Sequence, residues 1–91
     1  MRVSDINRET LEAYLKVPDD GTFGMLLDAA KSFAMSYTGL TVSEMNQYHD
    51  ITVAVCILVG EMYDNRVYTV NTDKVNPAAK QILESHCRIN L

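Results

Sequence analysis

The chain of 91 residues is long enough for one small domain and too short for two, and 47% of its residues are apolar, as in an ordinary folded protein. Eight lysine and arginine residues stand against 12 acidic ones, so the formal net charge is −4. No cluster of basic residues is present to bind phosphate backbones. We therefore expect one ordered domain, residues 1–91, that does not grip nucleic acid electrostatically.

The longest uncharged apolar run, residues 53–60, is far shorter than the ~18 residues that a membrane span needs. Residues 1–5 show no signal-peptide pattern, so we expect a soluble intracellular protein without membrane contact. The two cysteines, Cys56 and Cys87, have neither the spacing of a zinc site nor the density of a disulfide framework. Both are predicted to be reduced and structurally passive.

The first helix is predicted over about residues 8–16, with Asn7 as its N-cap. Ile6 and Leu11 flank this cap and can form a hydrophobic staple. A proline in the turn 18–21 prevents the helix from continuing. The apolar positions of this helix are Leu11, Tyr14 and Leu15.

The second helix has the clearest helical period of the chain and should end at Thr38, with Gly39 as its left-handed C′ residue. Its apolar stripe comprises Phe23, Leu26, Leu27, Ala30, Phe33, Ala34 and Tyr37. A short third helix is expected next, because Thr41 and Ser43 can both cap a turn that contains Glu44.

The segment 50–65 allows two interpretations. Alternate β-branched residues between 53 and 59 are typical of a buried strand. About fifteen residues without a turn signal are long for a strand, and Asp50 is a suitable N-cap, so a fourth helix is favoured. This helix is apolar nearly all round, which predicts that it lies at the centre of the domain or also faces another subunit. Its stripe is Ile51, Ala54, Val55, Leu58 and Met62.

After the fourth helix, residues 67–70 are predicted to form an extended arm and residues 71–73 a turn. Asn76 and Pro77 then provide the N-cap and first residue of a last helix that runs to about Arg88. The inner side of that helix is predicted to be Ala79, Ile82, Leu83 and His86. The predicted fold class is all-α: a small bundle of four helices plus one short helix, with an extended loop or arm between the last two long helices.

No residues stand at the spacing of a catalytic or metal site. The segment 21–24 lacks the lysine of a phosphate-binding loop and is more simply a helix entrance. His86 and Cys87 are adjacent and point to different helix faces, and His49 would have to come from another helix. We therefore predict no metal, no cofactor, no catalytic residue and no enzymatic activity.

Two carboxylate pairs remain as formal acid/base candidates. Asp19 and Asp20 have the composition of a turn, whereas Glu61 and Asp64 lie beside Arg66 at the end of the fourth helix. An arginine at that end complements the negative end of the helix dipole and can pair with either acid. A surface role is the favoured interpretation of both pairs.

Four segments resemble one known family: "LEAYLKV", "LLDAAKSFAMSYTG", "DITVAVCILVGEMYDNR" and "VNPAAKQILESHC". They cover most of the chain in order, and the Tyr-Asp-Asn-Arg and Tyr-Thr-Gly endings are their most specific parts. The chain resembles the small head-tail connector (adaptor) proteins of tailed bacteriophages and prophages, a family also described as DNA-packaging proteins.

The resemblance implies a structural virion protein, made in the bacterial host cytoplasm and located at the head-tail joint. Its expected partners are copies of itself in a ring, twelve-fold by the same resemblance, the portal protein above, a downstream head-completion or tail protein, and double-stranded DNA that passes through non-specifically. An acidic lumen would let DNA slide. The residues expected at the subunit or portal interface are Met62, Tyr63, Arg66, Val67, Tyr68, Val70, Lys74 and Val75.

The alternative is a small helical DNA-binding or regulatory protein of phage origin, in which one helix enters the major groove. Against it, the last helix offers only Lys80, Gln81 and Arg88 for contacts with DNA. Titration against duplex DNA at low salt distinguishes the two hypotheses, because a groove reader binds and a channel subunit does not.

Overall fold

The computed structural model describes residues 2–65 and 76–87. Within them lie a 3-10 helix, Val3–Asp5, and five α-helices: α1 (Arg8–Leu15), α2 (Phe23–Thr38), α3 (Val42–Met45), α4 (His49–Asn65) and α5 (Pro77–Ser85). The described part of the chain contains no strand, so the predicted all-α class, four longer helices and one short, is confirmed. The predicted arm at residues 67–70 and the turn at 71–73 lie outside the described residues.

The central helix of the fold is α4, which packs against α2 and α5 and also contacts α1 and the N-terminal 3-10 helix. Every residue of its predicted stripe is buried: Ile51, Ala54, Val55, Leu58 and Met62. Removing side chains of this size from water stabilises a fold by about 1.5–3 kcal/mol each. Only Val53, which is 39% exposed, and the half-buried Ile57 interrupt this apolar burial on the outer side.

The ends of the first two long helices lie at or within one residue of their predicted positions. Asn7 caps α1, and its side chain accepts a 2.8 Å hydrogen bond from the backbone N–H of Thr10. Lys16, predicted as the last helical residue, is instead the C-cap in the left-handed conformation, with φ 60°. Gly39 ends α2 as predicted, with φ 75°, a conformation that glycine adopts without strain.

The short helix α3 is closed by a reciprocal pair of hydrogen bonds. Thr41 Oγ1 accepts from the N–H of Glu44 at 3.2 Å, and the Glu44 carboxylate accepts from the N–H of Thr41 at 3.0 Å. This arrangement is a capping box. Of the two caps that the sequence left open, the structure uses Thr41 and not Ser43.

Two predicted helix ends are wrong. Asp50 was expected to be the N-cap of α4, but the helix already begins at His49 and Asp50 lies in its first turn. The carboxylate of Asp50 instead contacts the ring of His86 at 2.8 Å. The last helix ends at Ser85 and does not reach Arg88, which lies outside the described residues.

The last turn of α5 is tighter than the helix before it. The N–H groups of His86 and Cys87 donate to the carbonyls of Leu83 and Glu84, three residues back, at 3.2 Å each. Such bonds tighten the final turn and end the helix. At the other end, Asn76 caps α5 as predicted by accepting from the N–H of Ala78 at 2.8 Å.

Buried polar atoms in the described residues all have partners. Thr38 is completely buried, and its hydroxyl donates to the carbonyl of Ala34 at 2.7 Å and accepts from the N–H of Leu40 at 3.2 Å. Among the described helices, none combines the length and apolarity needed to cross a membrane.

Candidate functional site

The structure describes two of the eight residues predicted at an interface. Met62 is only 3% exposed and belongs to the hydrophobic core. Tyr63 is half-buried, and its ring packs edge-on against that of Phe23, with 5.6 Å between the ring centres. This contact anchors the C-terminal end of α4 to the start of α2. The other six lie outside the described residues: Arg66, Val67, Tyr68, Val70, Lys74 and Val75.

The same end of the molecule carries an open groove of about 530 Å³. One side is formed by the end of α1 and the residue after its C-cap, and the other by the last two turns of α4, with the cap of α5 at one end. The residues that line it are Tyr14, Leu15, Val17, Ile57, Gly60, Glu61, Tyr63, Asp64 and Asn76. We call these residues the α1–α4 groove. The groove therefore has a mixed lining, in which aliphatic and aromatic side chains stand beside two carboxylates and an amide.

A glycine allows α1 to lie this close to α4. A side-chain carbon at Gly60 would lie 3.1 Å from Cδ2 of Leu15 and 3.9 Å from Cε1 of Tyr14. A distance of 3.1 Å is shorter than an ordinary van der Waals contact between carbons. Leu15 therefore packs directly on the backbone of α4, while Tyr14 remains 49% exposed at the groove wall.

The charges that line the groove are negative. Glu61 is half-buried and accepts a 3.2 Å hydrogen bond from the side-chain amide of Asn76, and Asp64 is exposed. The C-terminal ends of α1 and α4 both lie here and add partial negative charge. The opposite charge of the α5 N-terminus is partly satisfied by the Asn76 cap. The predicted pairing of Arg66 with Glu61 or Asp64 falls outside the described residues.

A second polar cluster lies at the opposite end of α4. Nε2 of His86 is 2.9 Å and 2.8 Å from the two carboxylate oxygens of Asp50, and the His86 ring stacks on Tyr48 with 4.2 Å between centres. Nearby, the hydroxyl of Tyr37 donates to Glu84 at 2.9 Å. These contacts tie the end of α5 to α2 and to the start of α4.

The environment of this cluster changes one pKa. Burial, and then the neighbouring Glu84 carboxylate, raise the pKa of Tyr37 above its usual value. The thiol of Cys87 donates to the carbonyl of Tyr37 at 3.3 Å. No three histidine, cysteine or acidic residues among those described are grouped so that they could hold a metal ion.

The carboxylates Asp19 and Asp20 organise the entrance to α2. Asp19 accepts from the N–H of Gly21 at 2.8 Å and from that of Phe23 at 3.3 Å. Asp20 accepts from both the N–H and the hydroxyl of Thr22. Such hydrogen bonds from backbone N–H groups to aspartate side chains are typical of turns, and a turn was predicted for Asp19 and Asp20.

Neither the α1–α4 groove nor the polar cluster at the other end of α4 was predicted from the sequence. We call that cluster, Tyr37, Tyr48, Asp50, Glu84 and His86, the His86 cluster. Tyr14 and Leu15 were expected on an apolar helix face, and a glycine within the apolar segment of α4 was the available signal for a close helix approach. Comparisons of the chain with models of protein families, with curated proteins and with solved structures found no match. The fold and site define a small all-α protein with an open groove lined by both apolar and acidic side chains.

Proposed function

We propose that this chain is a structural protein of a phage virion that forms a ring beneath the portal, connects the DNA-filled head to the tail and lets double-stranded DNA pass. The four sequence segments quoted above support this proposal, because they resemble head-tail connector proteins over most of the chain. An all-α fold is what that resemblance implies, and the described residues have one.

The observation that carries the proposal is the apolar outer side of α4. Val53, 39% exposed, and Ile57, half-buried, are one helical turn apart and therefore lie on one face of α4. We call these two residues the outer strip; Ile57 is also part of the α1–α4 groove. A contact with a neighbouring subunit would cover these two side chains, as contiguous apolar surface is covered in assemblies.

The charge distribution supports the passage of DNA more than its binding. The basic residues that the structure describes are spread along the sequence, with no two adjacent: Arg2, Arg8, Lys16, Lys31 and Lys80. Arg2 pairs with Asp5 at 3.3 Å, and Arg8 lies 3.8 Å from Glu9. Because binding to a DNA backbone requires several unpaired cations at once, a chain of net charge −4 should not hold DNA in place.

The first experiment is electron microscopy of lysates from a phage that carries a stop codon early in this gene. Filled or leaking heads beside separate, finished tails are expected if the protein joins the two. Normal tailed particles would overturn the proposal. The regulatory alternative would then be tested by titration of duplex DNA at low salt.

A complementation experiment tests the outer strip in the same phage. Val53→Lys places a charge on the proposed contact surface, and Met25→Lys makes the matched change at a residue of α2 that is 54% exposed. We expect Met25→Lys to restore tailed particles and Val53→Lys to fail, with both variants equally stable to urea. Equal rescue by both variants would remove the outer strip from the assembly surface.

A further inference from the structure

The chemistry of the α1–α4 groove points to a specific kind of occupant. We propose that this groove is a docking site for a polypeptide segment of another protein that combines a lysine or arginine with an aliphatic or aromatic anchor. The inference stands on the described residues of the groove and does not depend on the proposed role in a virion.

The apolar part of the occupant is indicated by the walls and floor. Leu15, Val17 and Ile57 are half-buried and offer aliphatic surface, and Tyr14, 49% exposed, offers the face of a ring at the rim. A volume of about 530 Å³ accepts a few side chains. Covering this surface with an apolar anchor removes it from water, which is the main driving force for such contacts.

The positive charge of the occupant is indicated by electrostatics. Of the described residues that line the groove, only Glu61 and Asp64 are charged, and Asp64 has no ion-pair partner within residues 2–65 and 76–87. The C-terminal ends of α1 and α4 add negative potential at the same place. A cation beside the anchor is therefore attracted, whereas an acidic segment is repelled.

The shape of the groove favours a chain over a small molecule. The groove is open at the surface and not an enclosed cavity, so a segment can lie across it while one or two side chains occupy its volume. Tyrosine rings at the wall can also contact a guanidinium or ammonium group through their faces. A lysine or arginine next to a leucine-sized anchor satisfies both features.

The test uses the purified full chain and a display library of random peptides. The library is selected on the wild-type chain after peptides that bind Asp64→Lys have been removed. Asp28→Lys is the matched control, because Asp28 is an exposed acid on α2 and the substitution changes the net charge equally. A lysine at position 64 is compatible with folding, since cations are favourable near the C-terminus of a helix.

We expect the enriched peptides to carry arginine or lysine beside an apolar residue. The best of them, synthesised and titrated, should bind Asp64→Lys about fivefold more weakly or worse at low salt and Asp28→Lys within about twofold of wild type. Tyr14→Ala should also weaken binding. The proposal is overturned by the absence of enriched peptides, by acidic ones, or by equal binding to Asp64→Lys and wild type.

A sedimentation experiment on the chain alone tests whether a second copy of the chain, and not a foreign segment, occupies the groove. If the molecular mass rises with concentration and Asp64→Lys abolishes the rise, the groove serves self-association and the proposal of a foreign segment is wrong. A monomer that binds the selected peptides supports it. Either result leaves the microscopy of mutant phage lysates to decide the connector role separately.

Discussion

At the scale of single residues, two glycines with open space around them differ in backbone conformation. Gly21 has φ +96° in the turn before α2, whereas Gly24 lies within α2 with an ordinary helical conformation, and a side-chain carbon at either position would meet nothing within 4 Å. Space is thus the same at both sites, and only the backbone conformation differs. Alanine substitutions at the two glycines therefore compare the effect of backbone conformation on stability, because neither added side chain meets a steric clash.

Gly24→Ala is expected to stabilise the protein by about 0.5–1 kcal/mol, because alanine loses less backbone entropy in a helix. Gly21→Ala is expected to destabilise it by about 1–2 kcal/mol, since L-residues are strained at positive φ. Urea unfolding followed by circular dichroism measures both. A stabilised Gly21→Ala variant would mean that the turn rearranges freely.

The two cysteines should differ sharply in reactivity. Cys56 is 5% exposed and burial raises the pKa of its thiol, so both access and thiolate formation are suppressed. Cys87 is half-buried. With Ellman's reagent at pH 8, we expect one thiol to react in the folded protein and the second to react only as the chain unfolds. Cys87→Ser should remove the fast phase; fast reaction of Cys56 in that variant would contradict the packing of α4.

At the scale of helices, the sequence predicted two asparagine N-caps correctly and missed the end of α5. Asn7 and Asn76 cap helices as expected, because capping depends on a side chain and the two or three residues after it. The predicted end of α5 was wrong because His86 and Cys87 contact residues that lie 36 and 50 positions away in the sequence. Nothing in the local pattern contains that information.

The contact between α2 and α5 predicts a pH dependence. The folded-state pKa of Tyr37 is raised, chiefly by burial and then by Glu84, above the unfolded value of about 10. The stability that this group contributes is therefore complete below pH ~10 and is lost as the pH rises through the folded-state pKa, because the unfolded chain releases the proton first.

Urea unfolding of wild type and Tyr37→Phe at pH 8 and at about pH 10.5 isolates the contribution of Tyr37 to stability. The other groups that titrate at alkaline pH are common to both proteins. The wild type should lose more free energy of unfolding between the two pH values than the variant. The same loss in both proteins would show that Tyr37 keeps an ordinary pKa and that the Glu84 contact is weak in solution.

At the scale of the whole molecule, the sequence predicted the central position of α4 but not the sites at its two ends. Because α4 is apolar nearly all round, it must be buried on most sides whatever the arrangement of the other helices. The α1–α4 groove and the His86 cluster depend instead on which helix ends meet. Glu61 and Asn76, for instance, are 15 residues apart and are joined only once α5 has returned along α4.

The pair of Asp50 and His86 is the contact on which the placement of the α5 end depends most directly. Nε2 of His86 lies within 2.9 Å of both carboxylate oxygens, and the two residues are 36 positions apart. His86→Phe keeps a ring for stacking on Tyr48 and removes the hydrogen bond. A double-mutant cycle of His86→Phe with Asp50→Ala therefore isolates the polar interaction and cancels the effect of Asp50 on the helix dipole.

We expect a coupling energy of about 0.5–1.5 kcal/mol at pH 7 from urea unfolding, the range of a hydrogen bond that joins separate elements. The pair Arg2 and Asp5 is the matched control, because both are exposed, three residues apart and 3.3 Å from each other, and solvent screening should make the coupling there smaller than that of Asp50 with His86. A long-range coupling no larger than the local one would mean that the end of α5 is held by apolar contacts of Leu83 alone. The polar cluster would then be a consequence of the fold and not one of its determinants.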